Sequence, residues 1–186
     1  EQLVPSSISP GRSSKLNWYA HDVEKATALL NEAGFDFSQE ITLAYQNSPM
    51  QTLYSPNTLA VAVRDQMEEI GVKVVLKPLD ITAFETSIAE GQEMFFIHWY
   101  MVDYIDGSAF FDKPFVSEVV KFGEPYTEMQ QLIGEVRGIA GNEQKQAIFD
   151  RMNQIVIDQV PLIPLGHSPN LTVLRSTLKK ISYNAF

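Results

Sequence analysis

The chain has no cysteine. That removes a disulfide framework, a thiolate nucleophile and a cysteine zinc site in one step. Positive charge is also scarce. Fourteen Lys and Arg stand against 23 Asp and Glu, a formal net charge of −9 over 186 residues. The basic residues are scattered, with Lys121, Lys145 and Arg151 standing apart and Lys179-Lys180 as the one adjacent pair. Binding to a polyanion is driven by Lys and Arg neutralising phosphates, so neither a nucleic acid nor an anionic membrane surface is an expected partner. Long apolar runs are missing too. The longest, Met94 to Val102, is interrupted by His98 and falls well short of the ~20 residues that span a bilayer. No membrane insertion by this chain is expected. Glu1-Gln2-Leu3-Val4-Pro5 lacks the basic region and apolar core of a secretion signal. Neither Gly-rich phosphate-binding signature occurs. Gly166-His167-Ser168 runs into Pro169-Asn170, which breaks the pattern of a nucleophile elbow.

What is present is the composition of an ordinary globular protein, 45% hydrophobic and 20% charged. A chain of this length suits one domain and buries about 70% of its unfolded surface without staples. Residues 1–18 read as a linker, with Ser6, Ser7, Ser9, Ser13 and Ser14 around Pro5, Pro10 and Gly11. Asp22 is a helix N-cap ahead of Val23, Ala26, Leu29, Leu30 and Ala33 on one face, with Gly34 as the stop. Ile41 to Tyr45 alternates like a strand. Ser55-Pro56 opens a helix that closes at Gly71, and Val72 to Lys77 is a strand rich in β-branched residues. This βαβ unit should cross over with right-handed sense. Asp80 caps a short helix ending near Glu90-Gly91. Met94 to Tyr100 reads as a central strand buried on both faces, followed by a loop from Asp103 to Phe115. Pro125 opens a helix through Val136, Asn142 caps another through Val156, and Pro161–Leu165 and Leu171–Leu174 are late strands. Interleaved strands and helices make an α/β domain.

Few residues offer chemistry. His21, His98 and His167 are far apart and none has a partner at metal-ligand spacing, so no metal or cofactor is expected. Asp103 and Asp106 follow the apolar run. A calcium loop fails there, because Lys113 stands where the closing Glu belongs. The two aspartates either cap and turn the loop, with Asp106-Gly107 as the turn, or Asp103 projects into a cleft as a fixed negative charge. In open α/β sheets ligands sit beyond the carboxyl ends of strands. Trp99, Tyr100 and Tyr104 flank that position as stacking surfaces or as core. A hydrolase using Asp103 and Asp106 would need a base–nucleophile pair or a metal, and neither is visible.

Four stretches, taken in order from Tyr19 to Leu165, resemble one family. Tyr19-Ala20-His21-Asp22-Val23-Glu24-Lys25-Ala26, continuing to Leu29-Leu30-Asn31-Glu32-Ala33-Gly34, is similar to a Y-x-x-D-x-E-K-A-x-x-L-L-x-E-A-G segment of family 5 extracellular solute-binding proteins. Ile70-Gly71-Val72-Lys73-Val74 resembles that family's I-G-[IV]-x-V. Asp103-Tyr104-Ile105-Asp106 resembles part of W-x-x-D-Y-x-D-P, and Val160-Pro161-Leu162-Ile163-Pro164-Leu165 resembles x-P-x-[IV]-P-L. The resemblance implies one lobe of a class II periplasmic-binding-protein fold, in a receptor of two lobes that close on a ligand. Residues 19–160 would be the C-terminal α/β lobe, with residues 1–18 entering it and residues 161–186 leading back toward the other lobe.

That family serves ABC importers outside the cytoplasm, in the periplasm or lipid-anchored at the cell surface, and its members include dipeptide, oligopeptide and nickel receptors. The resemblance therefore implies a non-enzymatic receptor for a small-molecule or peptide ligand, with an ABC permease as its partner. In peptide-binding members the aspartate of W-x-x-D pairs with the ligand's α-ammonium, and its position here is Asp103. The ligand-binding set implied is Asp103, Trp99, Tyr100, Tyr104 and Met101. Several positions depart from the family pattern. Tyr100 stands at the usual tryptophan, Trp99 at the usual glycine and Gly107 at the usual proline, and Met94-Phe95 replaces the acidic residue before the strand. An oligosaccharide receptor stacking sugar on the aromatics, and a ligand-sensing domain of a bacterial transcriptional regulator, are the alternative expectations.

Overall fold

Strand β1 (Glu40–Gln46) sorts its side chains by parity, and the architecture follows from that. Leu43 and Tyr45 turn to one face and pack with Ala60, Val72 and Val74. Ala44 turns to the other and packs with Phe84 and Ile88. The computed structural model describes residues 1–47, 55–116, 126–168 and 175–177. β1 pairs in parallel with β2 (Lys73–Leu79), Leu43 opposite Leu76, and with β3 (Phe96–Ile97), Ala44 opposite Phe96. The described sheet has the order β2-β1-β3.

Helix α1 (Val23–Glu32) starts where Asp22 accepts from the Lys25 amide at 2.9 Å. Helix α2 (Pro56–Glu69) starts where Ser55 accepts from Thr58 at 3.1 Å, and the turn after it runs through Gly71 at φ +82°. Helix α3 (Ile81–Ala89) starts where Asp80 accepts from Thr82 and Ala83. α2 covers the Leu43 face and α3 the Ala44 face. The path from β1 to β2 runs one way across the sheet and the path from β2 to β3 runs back, so helices on opposite faces are what a common crossover hand produces.

Helices α4 (Ala109–Phe115), α5 (Thr127–Gly138) and α6 (Asn142–Gln159) build a separate core. Phe111, Phe115, Met129, Ile133, Val136, Phe149, Met152 and Val156 fill it.

Five expectations need correction. Residues 1–18 are not an exposed linker throughout, because Leu3 and Val4 lie within the helical core. Their irregular backbone is tolerated because side chains satisfy it: Gln2 and Ser13 exchange two hydrogen bonds of 2.8 Å, and Asn153 donates to the Gly11 carbonyl at 2.9 Å. The run Met94 to Tyr100 is not a strand buried on both faces. Only Phe96 and Ile97 pair, both half-buried, and Met94 is 98% exposed. The segment Asp103 to Phe115 is not all loop, since α4 occupies its second half. Pro161–Leu165 forms no strand. Asn142 does not cap the last helix: it is the first helical residue, and Gly141 is the N-cap, with no side-chain cap hydrogen bond. The expected Pro125 helix start and the Leu171–Leu174 strand lie outside the described residues.

Gly107 seats the loop before α4. A Cβ there would stand 2.5 Å from the Pro10 carbonyl oxygen, 2.8 Å from Phe149 Cζ and 3.1 Å from Gly11 Cα. Two of those atoms are backbone and cannot swing away. Gly107→Ala should therefore lower stability by about 1–3 kcal/mol through overpacking. An unchanged midpoint in urea unfolding would show that the loop and the N-terminal segment are not in this close contact.

Candidate functional site

The chain leaves β3 at Ile97 and runs through His98 to Gly107 without regular structure before entering α4. Five of those residues are the sequence-predicted site. Four of them are exposed, Trp99, Met101, Tyr104 and Asp103, the last with 77% of its side chain open, and only Tyr100 is withdrawn. Asp103 Oδ2 lies 3.5 Å from Lys113 Nζ on α4.

Tyr100 and Tyr104 are anchored. Pro114 sits inside α4 and has no N–H to give the carbonyl four residues back, that of Phe110. The Tyr100 hydroxyl donates to that carbonyl instead, at 2.9 Å. Burial pushes the Tyr100 phenol pKa well above its ordinary value. The Tyr104 hydroxyl bonds to Asp112, and Arg137 Nη2 on α5 reaches both Tyr104, at 3.3 Å, and Asp112, at 2.5 Å. Hydrogen bonds to the Tyr104 hydroxyl and the Asp112 carboxylate are the two strongest influences that hold the Arg137 pKa up.

Asp106 takes the loop-forming role. Its Oδ1 accepts from the Ser108 amide at 2.9 Å and the Ser108 hydroxyl at 2.7 Å, and its Oδ2 lies 3.5 Å from Lys145 Nζ on α6. Burial raises the pKa of this carboxyl, but the Ser108 bonds and Lys145 together outweigh it and leave the pKa below the usual value. Asp103, Asp106 and Asp112 thus face Lys113, Lys145 and Arg137 respectively. Sequence reasoning found the first two acids and none of these three pairings. Lys113 was legible only as the residue that spoils a calcium loop, and the other two bases lie on helices distant in sequence. Among the described residues no cluster of three or more His, Asp or Glu is placed to hold a metal, and no helix is long and apolar enough to cross a membrane.

Residues 1–121 match the family described as "Bacterial extracellular solute-binding proteins, family 5 Middle". The chain belongs to that family. It is 23% identical over 186 residues to the "Dipeptide-binding protein" of Escherichia coli strain K12, covering 96% of this chain and 34% of that one. Among solved structures, HbpA2 from Haemophilus parasuis aligns with a TM-score of 0.81 at 21% identity, over 90% of this chain and 34% of its own. A dipeptide binding protein from Pseudoalteromonas sp. SM9913, in complex with Met-Leu, aligns with a TM-score of 0.73 at 18% identity, over 86% and 32%. The fold is therefore that of family 5 periplasmic binding proteins, and the chain spans about a third of the length of the curated relatives it matches. Two of these relatives are named as dipeptide-binding proteins.

His98 closes the sheet side of the site. Its ring stacks on Phe84 at 5.9 Å and meets Phe96 edge-on at 6.5 Å. Its Nε2 is 3.4 Å from Glu85 Oε1 but has no partner in hydrogen-bonding geometry. Burial lowers the His98 pKa, and Glu85 opposes the shift without reversing it. With the folded pKa below the unfolded one, the unfolded state binds more protons between them, so stability rises with pH through that window. The contribution is complete above the unfolded value of about 6.5 and is lost as pH falls toward the folded value. Urea unfolding at about pH 7.5 and about pH 5.5 should show the loss, and His98→Gln should reduce it. An equal loss in the variant would assign the effect to other groups.

Proposed function

We propose that the protein is the ligand-capturing receptor of an ABC importer and takes a peptide-like solute outside the cytoplasm. Asp103 pairs with the ligand's α-ammonium, and Trp99, Met101 and Tyr104 line the cleft, while Tyr100 holds their backbone in place through Phe110. The observation that carries this reading is an open carboxylate just beyond the carboxyl end of a parallel strand, at the position where the family pattern has its ammonium-binding aspartate. Two relatives carry dipeptide binding in their names, one of them with Met-Leu bound, which favours a peptide over a sugar. Binding without turnover suits the site, because both loop carboxylates already face lysines.

Affinity for a peptide should depend on Asp103 far more than on the aromatics. In the protein expressed from its complete reading frame, native mass spectrometry should detect co-purified peptide masses. Asp103→Ala should then weaken binding of that peptide by more than ~2 kcal/mol, the scale for stranding a desolvated charge, as read by calorimetry. A sugar series in the mass spectrum, together with binding that survives Asp103→Ala, would replace the peptide reading with stacking on Trp99.

A further inference from the structure

The described residues fall into two bodies. One is the sheet with α1, α2 and α3. The other is α4, α5 and α6 with the N-terminal segment, and no apolar residue packs into the cores of both. Among the described residues the chain passes between them twice. It crosses once through residues 19–22, from Trp18 at the helical core to α1, and once through residues 98–108, from β3 to α4. A tyrosine stands at each passage. The Tyr19 hydroxyl donates to the Ile157 carbonyl of α6 at 3.2 Å, and the Tyr100 hydroxyl to the Phe110 carbonyl of α4 at 2.9 Å. Both carbonyls lack a helical donor for the same reason. The residue four positions on is a proline, Pro161 after α6 and Pro114 inside α4.

We propose that Tyr19 and Tyr100 are the two pins of a pivot within this lobe, about which the sheet body and the helical body turn. Bodies whose cores share no side chain move relative to each other unless something holds them. Two fixed points leave one easy rotation, about the line through them. The site straddles that rotation. His98, next to Trp99, stacks on Phe84 and belongs to the sheet body. Tyr104 and Asp106 are tied to Arg137 on α5 and Lys145 on α6, and belong to the helical body. A turn about the pins therefore changes the spacing between Trp99 and the segment of Asp103, and with it the width of the cleft face. That consequence rests on the site proposed above; the pivot itself does not.

Chymotrypsin reads the pivot without a ligand. It cuts after Tyr19, Trp99, Tyr100 and Tyr104, and cleavage of a folded protein follows local opening. Replacing tyrosine by phenylalanine removes a hydroxyl and keeps both the ring and the cleavage site. In the protein expressed from its complete reading frame, Tyr19→Phe should speed cleavage at residues 99–104, in the other passage, by about threefold or more, the scale of one lost hydrogen bond. Tyr100→Phe should speed cleavage after Tyr19 in the same way, because coupling between two points is reciprocal. Tyr45→Phe is the control: it loses a 2.7 Å hydrogen bond to Asn57 inside the sheet body and should leave both passages unchanged. An effect of Tyr19→Phe confined to its own passage, or one matched by Tyr45→Phe, overturns the pivot. Tyr19 is 65% exposed, so this variant should fold and decides the matter even where Tyr100→Phe does not. Cleavage that answers to the pins while peptide binding ignores Asp103→Ala keeps the pivot and discards the peptide reading.

Discussion

The hydrogen bond from the Tyr100 hydroxyl to the Phe110 carbonyl, at 2.9 Å, joins two cores that share no buried residue. One core surrounds β1 and is covered by α1, α2 and α3; the other lies among α4, α5, α6 and the first residues of the chain. The carbonyl needs an external donor because Pro114 cannot supply the helical one, and a buried carbonyl without a donor costs about 1–3 kcal/mol. Proline in α4 and tyrosine after β3 are therefore parts of one device. Its effect is to fix both ends of the segment that carries Met101, Asp103 and Tyr104, so that these side chains project from a held backbone rather than from a free loop.

Electrostatics complete that hold. The chain is acidic overall, yet the two aspartates of the segment and Asp112 at its entry into α4 each face a base from α4, α5 or α6. The pairings differ in kind. Asp106 Oδ1 is tied to Ser108 and Asp112 Oδ2 to Tyr104 and Arg137, and both side chains are about a third exposed or less. The Asp106–Lys145 pair braces the loop against α6, and the Asp112–Arg137 pair joins α4 to α5 and takes in Tyr104 of the loop. Asp103 has a single ion-pair contact and a mostly exposed side chain. A carboxylate in that situation is the one a ligand can recruit without dismantling the loop.

Much of the fold was legible because it is set locally. Asp22, Ser55 and Asp80 cap their helices as the sequence indicates, since an N-cap needs only an oxygen and an amide two or three residues on. What was illegible is set at long range. Residues 1–18 have linker composition, but Leu3 and Val4 join the helical core, and the Gly11 and Arg12 carbonyls accept from Asn153 and Gln146, more than 130 residues away. The apolar run after Glu93 resembles a buried strand, but Tyr100 is committed to α4, and only two residues remain for the sheet. The site divides the same way. Asp103 was reachable through the family pattern, whereas Arg137 and Asp112 lie 25 residues apart and no spacing rule connects them.

The exposure of the Asp103–Lys113 pair bears on where selectivity would arise in a receptor. At roughly 3.5 Å in water two unit charges gain only about 1 kcal/mol, too little to distinguish one ligand from another by more than a few-fold. Reducing the effective dielectric to about 20 raises the same interaction to several kcal/mol, and exclusion of water produces that change. The lobe described here supplies the positions of the charges. Their power to discriminate comes from whatever covers them, which on the receptor reading is the ligand and the opposing surface together. On that reading geometry and selectivity reside in different steps: the first is built by Tyr100, Pro114 and Gly107 on folding, and the second would appear only once the cleft is filled and closed.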